Sequence, residues 1–211
     1  MPIVSFKLLD LLNEIGISNT KRLLSDFFCS KDDDVEFFIR KKAIPYEKSD
    51  KARTTLICQV NDDKEVIEII AYYSLASNVF HLEGLSKNLQ KQIRGGAPTR
   101  RNKHNVVASI LIGQLGRNEK AKSYFSSNAL FLELFKSINE INLLVGTRII
   151  YLECRDIEKL KDLYISRGFK LLTDNKGNPI INDSNNVKLI TFVMSMKNLK
   201  QILKDNKITN V

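Results

Sequence analysis

No stretch of this 211-residue chain approaches the ~20 consecutive apolar residues that a membrane span needs. The opening MPIVSFKLLDLLNEIG carries acidic groups where a secretory leader has none, so the expected compartment is the cytoplasm. Cysteine and histidine are scarce. Cys29, Cys58 and Cys154 are odd in number and widely spaced, which argues against a disulfide framework and for buried free thiols in a reducing compartment. With only His81 and His104 besides, no metal-ligand cluster is spelled out, and no metal is expected. Internal repeats and low-complexity blocks are lacking too, which excludes a solenoid or a biased linker.

What is there is the composition of an ordinary globular protein, 43% hydrophobic and 27% charged. The length suits one well-buried domain and is short for two, so a single domain over residues 1–211 is expected. The unusual bulk property is a formal charge of +9. It favours anionic partners: a phosphate-bearing cofactor, a nucleic acid, or solvent ions.

Along the chain, Phe6 to about Gly16 reads as an amphipathic helix ended by glycine, and Ser18 caps a second helix through Leu24. This makes residues 1–28 an N-terminal helical segment. Asp33 and Glu36 have capping-box spacing for a third helix, which is expected to stop before Pro45. Thr54 to Val60 and Val66 to Ala76 read as a hairpin whose second strand, VIEIIAYYSLA, is central in its sheet. Leu82 to Ile93 reads as a short helix. Arg94 to His104, with two glycines, a proline and several cations, reads as a mobile surface loop; it either holds a phosphate-bearing partner or is simply solvated. Val106 to Leu115 is a second buried strand, followed by a polar loop and a helix from Asn128 to Ile141. Val187 to Met196 makes a last strand, and residues 197–211 a basic, helical tail expected to fray.

The most informative stretch is Thr147 to Phe169. Arg148 to Cys154 suits a buried strand. After Arg155 the period changes, and Ile157, Leu160, Leu163 and Tyr164 recur at helical spacing until Gly168 ends the helix and Phe169 opens a strand. This strand, helix, Tyr, three residues, Gly-Phe arrangement resembles the acetyl-CoA-binding core of the GNAT N-acetyltransferases, and Ala71-Tyr72-Tyr73-Ser74-Leu75 resembles a strand end found in several bacterial members. The resemblance spans roughly Cys29 to Met196. It implies an α/β (α+β) acyl-CoA N-acyltransferase fold: a single GNAT-like domain with a central mixed, mostly antiparallel twisted sheet flanked by helices.

The same resemblance implies the chemistry. Acetyl-CoA is the co-substrate and an amine attacks its thioester directly. Tyr164 lies beside the coenzyme sulfur as proton donor to the leaving thiolate, a phenol being protonated at neutral pH; its alternative role is packing, beside Leu160 and Ile157. The backbone of Ile112, Gly113, Gln114 and Leu115 pairs with the pantetheine arm. The pyrophosphate pattern Arg/Gln-x-x-Gly-x-Gly/Ala falls on Lys122, Phe125 and Ser127, with Ser126 and Asn128 beside them at the helix N-terminus, where unpaired N–H groups and the dipole favour anions. Phe125 departs from the pattern, because it stands where a glycine lets the backbone approach the phosphate. The family often carries Asn and Ala where this chain has Ile157 and Leu160, which leaves Asp156 as the polar residue there. Glu153, and Glu68 on the earlier strand, are candidate general bases acting through water; Cys154 is read as inert.

Three functions follow as expectations. The first is an N-acetyltransferase acting on a primary amine, with the amino group of aminoacyl-tRNA among the acceptors because of the +9 charge, the basic loop 94–104 and a likeness of layout to GNAT toxins. The alternative is a catalytically inactive GNAT-fold module that binds nucleic acid, which the Phe125 departure allows. A protein-interaction domain has no positive support.

Overall fold

The computed structural model of the chain describes residues 1–63, 65–94, 105–174, 176–184 and 187–207. Among the described residues, eight strands form one sheet in the hydrogen-bonded order β1-β2-β3-β4-β5-β8-β6, with β7 also paired to β8. They are β1 Ile3–Lys7, β2 Arg53–Val60, β3 Val66–His81, β4 Val106–Arg117, β5 Ile149–Arg155, β6 Lys170–Leu171, β7 Ile181–Ser184 and β8 Val187–Ser195. The helices are α1 Leu8–Ser25, α2 Asp33–Phe37, α3 Ala43–Lys48, α4 Lys87–Arg94, α5 Ser127–Val145, α6 Glu158–Ser166 and α7 Met196–Asp205. Antiparallel pairing joins β1 to β2, β2 to β3, and each of β5, β6 and β7 to β8. This is the open, mostly antiparallel sheet with helices that the resemblance implies.

Two compact units share these elements: Met1–Ala76 with Ile112–Leu134, and Ser77–Leu111 with Phe135–Val211. Strands β3 and β4 and helix α5 each run through both.

In the first unit the N-terminal helical segment 1–28, whose first helix is expected from Phe6, opens instead on a strand, and the helix starts at Leu8. Ile3–Lys7 alternates between exposed and half-buried residues and pairs at the sheet edge, Val4 opposite Cys58 and Phe6 opposite Leu56. An edge strand needs a partner far along the chain, so local periodicity does not announce it. The expected two helices follow within α1, broken where Gly16 takes φ 76°, ψ 166°. The Thr20 hydroxyl donates to the Gly16 carbonyl at 2.8 Å, tying the second segment to the break.

The cap of α2 is Asp32, not Asp33: its side chain accepts from Asp34 N, while Glu36 accepts from Cys29 N at 3.0 Å. The helical path also continues past the expected stop. A π-type turn over Phe38–Lys42 runs directly into α3, with Ala43 N donating to the Phe38 carbonyl, and Pro45 lies in the turn just after it, where the ladder has changed register. Phe38, Ile39, Ala43 and Ile44 thereby reach a core that includes Leu8, Leu24, Phe27, Leu56 and Tyr72. A Cβ on Gly116 would sit 2.4 Å from Val35 Cγ1 and 3.1 Å from Tyr72 Cε1, so only glycine lets β4 pass this close.

In the second unit, Phe80, Leu82, Leu85, Ile93, Ile149, Tyr151, Leu172 and Val193 form one cluster. The expected helix Leu82 to Ile93 forms only from Lys87, as α4 Lys87–Arg94. Strand β7 was unread; the chain reaches it through a turn in which Asp174 Oδ1 accepts from Lys176 N and Asn178 N at 2.8 and 2.9 Å. The basic tail is ordered as far as it is described. Ser195 caps α7 by accepting from Asn198 N, and Met196, Leu199 and Leu203 are buried. The tail expected to fray is thus held by an apolar stripe under its lysines.

Candidate functional site

In the second unit the end of α6 explains its own sequence. Gly168 adopts φ 88°, a left-handed conformation that glycine enters without cost. Phe169 N donates to the Tyr164 carbonyl at 3.1 Å, and Gly168 N to the Ile165 carbonyl at 2.9 Å. These two bonds make a Schellman motif, with Tyr164 in the last full turn and Phe169 just beyond it. The apolar contact that accompanies such a motif is the Tyr164–Phe169 ring pair, edge to face at 6.0 Å. Tyr164 also lies 5.5 Å from the Phe192 ring, and Phe169 6.1 Å from Phe135. The ring of Tyr164 is thus held on two sides while the residue stays half-buried. A Cβ on Gly168 would lie 2.9 Å from the end methyl of Ile202 on α7, a side chain that can shift, so it is the positive φ that calls for glycine.

Glu153 is exposed on β5 and accepts from Asn182 Nδ2 at 2.6 Å; the same amide donates to Thr191 Oγ1 at 3.1 Å. It pairs in register with Thr191, next to Phe192 on β8. Successive strand residues point to opposite faces, so the structure does not bring Glu153 to the face where Tyr164 packs. Tyr151 shares the face of Glu153, and its hydroxyl accepts from Asn78 Nδ2 at 2.8 Å. Its phenol is raised by burial and by the Glu153 carboxylate. Asp156 pairs with Lys161 Nζ at 2.6 Å, which raises the lysine's pKa. Cys154 is buried and free, and burial pushes its thiol up to about 11; Cys58 is raised likewise to about 12. Both are inert as nucleophiles at neutral pH.

In the first unit, Ile112 is buried, Gly113 exposed, and Gln114 and Leu115 half-buried. Beyond Arg117 the loop is braced at every step. Asn118, 1% exposed, donates from its backbone N to the Ile70 carbonyl at 2.8 Å and from Nδ2 to the Ile69 carbonyl at 2.9 Å. Its side chain also caps the 3₁₀ turn Glu119–Ser123. Glu119 N donates to the Phe28 carbonyl, and Glu119 Oε2 receives the Ser30 hydroxyl at 2.8 Å and Lys122 Nζ at 2.5 Å. Lys122 and Ser30 together hold the Glu119 carboxyl down at about 2. The cation of Lys122, expected to face phosphate, is therefore already paired.

Phe125 sends its side chain into the core, 6% exposed, and Arg117 Nη1 donates to its carbonyl at 2.6 Å. The ring that replaces the glycine therefore does not stand over the helix N-terminus. The cap of α5 is Ser126, whose Oγ accepts from Ala129 N at 3.1 Å; Ser127 is the first helical residue and Asn128 the second. Sequence reading missed Arg117 and Asn118. Their signal was a cation and a capping residue at the very end of a buried strand, directly before the expected anion loop.

The basic loop reading falls largely on residues 95–104, which lie outside the described residues. Among the described residues, no group of three or more His, Cys, Asp or Glu side chains is arranged to hold a metal, and no helix is long and apolar enough to cross a membrane.

No protein-family model matches the chain, and no curated protein matches it in sequence. Solved structures do match it in shape. AtaT complexed with acetyl-methionyl-tRNAfMet is 15% identical, with a TM-score of 0.67 over 96% of this chain and 99% of that one. A KacT mutant in which a tyrosine is replaced by phenylalanine is 16% identical, with a TM-score of 0.68 over the same shares. AtaTR bound with acetyl-CoA is 14% identical, with a TM-score of 0.63 over 95% and 98%. What the chain shares with these proteins is the fold, and it is the acyl-CoA N-acyltransferase fold that the stretch from Thr147 to Phe169 implies.

Proposed function

We propose that the chain is an acetyl-CoA-dependent N-acetyltransferase whose acceptor is the amino group of an aminoacyl-tRNA. The observation that carries this reading is the end of α6, where Tyr164, Gly168 and Phe169 form a rigid helix terminus that fixes one phenol. The chain that carries it shares its fold with AtaT, which is solved with acetyl-methionyl-tRNAfMet and, as AtaTR, with acetyl-CoA. The formal charge of +9 suits a polyanionic acceptor. A protein partner comparable to AtaR, the antitoxin bound in AtaT structures, belongs to the same reading.

The neutral amine attacks the thioester carbonyl, the tetrahedral intermediate collapses, the C–S bond breaks, and the thiolate takes a proton from the Tyr164 hydroxyl. The proton released by the amine goes to water; Glu153, held by Asn182 on the other face of the sheet from Tyr164, is not placed to receive it. Backbone groups of Ile112, Gly113, Gln114 and Leu115 take the pantetheine arm. The pyrophosphate takes the loop and helix start at Phe125, Ser126, Ser127 and Asn128, with Lys122 and Asp156 as charged residues of the coenzyme's surroundings. Because the Phe125 ring is buried, its replacement of glycine does not argue against phosphate binding.

Calorimetric titration with acetyl-CoA, with adenosine diphosphate as control, tests the coenzyme, and a screen of charged tRNAs tests the acceptor. Micromolar binding followed by acetylation of an aminoacyl-tRNA is expected. Absence of acetyl-CoA binding would overturn the reading.

A further inference from the structure

Arg117 spans eight residues to donate from Nη1 to the Phe125 carbonyl at 2.6 Å. This bond fixes the orientation of the Phe125–Ser126 peptide. In a planar trans peptide the C=O and the following N–H point in opposite directions. Drawing the Phe125 carbonyl to Arg117 therefore turns the Ser126 N–H away from Arg117, and Ser126 is an exposed residue. That N–H has no hydrogen-bond acceptor among the described residues, whereas Ser126 Oγ and the Ser126 carbonyl are both engaged in the first turn of α5, with Ala129 N and Leu130 N. The peptide is braced from behind as well: Phe125 N donates to the Ala121 carbonyl at 2.9 Å, and the Phe125 ring is locked in the core.

A glycine loop binds pyrophosphate because bare backbone can approach the anion and adapt to it. This chain has Phe, not Gly, at that place, and so cannot adapt in the same way. We infer that Arg117 is a positioning residue: through the Phe125 carbonyl it presets the Ser126 N–H as a donor to the coenzyme pyrophosphate. The inference rests on the acetyl-CoA reading above. It replaces backbone adaptability with a side-chain clamp, and it moves part of the diphosphate recognition from the expected Lys122, which is paired with Glu119, to a backbone donor. The guanidinium touches the loop and acts through it.

The test compares the wild type with Arg117→Met, which keeps the apolar stem and removes the donor, and with Arg117→Lys, which keeps one donor. Two acyl donors are used, acetyl-CoA and S-acetylpantetheine, which lacks the diphosphate. For Arg117→Met the KM for acetyl-CoA rises about 10-fold or more, the loss of one charge-assisted hydrogen bond, while kcat at saturation and the KM for S-acetylpantetheine stay within about twofold. Arg117→Lys recovers most of the loss. Unchanged KM for acetyl-CoA, or equal loss with both donors, overturns the inference and leaves the acetyl-CoA reading standing. A wild type that does not bind acetyl-CoA overturns both. Should Arg117→Met not fold, Arg117→Gln takes its place with the same readouts and the same criteria.

Discussion

At the scale of single residues, Tyr164 and Gly168 make opposite claims on the same helix end. Tyr164 is half-buried, with its ring against Phe169 and Phe192, so Tyr164→Phe keeps both contacts and loses a hydroxyl. If that hydroxyl protonates the thiolate, kcat falls about 10²-fold with little change in melting temperature. Equal turnover of variant and wild type, followed by thiol release, would remove it from the acid role. Gly168 carries no chemistry. Its φ of 88° makes Gly168→Ala costly, about 1–2 kcal/mol from the backbone alone. The melting temperature falls by roughly 2–8 °C. A calorimetric scan that shows no fall would mean the turn relaxes, and the Schellman geometry would no longer explain the Gly-Phe pair.

At the scale of elements, the loop from Arg117 to Ser126 and the start of α5 behave as one piece. The Glu119 carboxyl is lowered from its ordinary value of 4.5 to about 2 by Lys122 and Ser30. A depressed carboxylate stabilises the fold above its unfolded value and loses that contribution as pH falls towards its folded one. The stability from this group is therefore present above about pH 4.5 and fades between there and pH 2. Glu119→Gln flattens the acid limb over that window, as urea melts at a series of pH values will show; a parallel limb would mean the Lys122 and Ser30 contacts do not form in solution. Ser127→Glu separates stability from binding. A carboxylate in the first turn of α5 suits the helix dipole, so the melting temperature holds or rises, while acetyl-CoA affinity falls because the same charge repels the pyrophosphate. Unchanged affinity would place the phosphates elsewhere. These elements also show what was legible. β5 and α6 were read from sequence because period, glycine and Tyr164 all act within a few residues. β1 was not, because its pairing partner lies some fifty residues away, nor was α7's order, because its lysines mask the spacing of Met196, Leu199 and Leu203. In the candidate site, the helix end that holds Tyr164 was legible as a local motif, because its Tyr, Gly and Phe lie within six residues. The Arg117–Phe125 bond was not, since it joins a side chain to a carbonyl and leaves no mark on the identity of its partner.

At the scale of the whole molecule, the charge of +9 is the property that distinguishes a polyanionic acceptor from a small amine. A protein that neutralises phosphates releases counterions, so its affinity falls as a power of salt concentration. For about four phosphate contacts, tRNA affinity drops roughly 50- to 150-fold between 50 and 200 mM salt. Turnover of a small amine depends on salt only through the coenzyme. Measuring KM for a charged tRNA and for a free amino acid amide across that range, at saturating acetyl-CoA, separates the two acceptors. Replacing Arg94, Arg100, Arg101 and Lys103 by Gln then asks where the charge acts, since the chain stays net positive without them. If the slope against log salt falls by close to one unit for each cation removed, the segment 94–104 makes the phosphate contacts. If the slope is unchanged while tRNA is still acetylated, the contacts lie on other cations of the surface, and the acceptor assignment survives without that loop. A salt-independent KM for tRNA would leave the positive charge without a role in the reaction and would favour a small or protein-borne amine as acceptor.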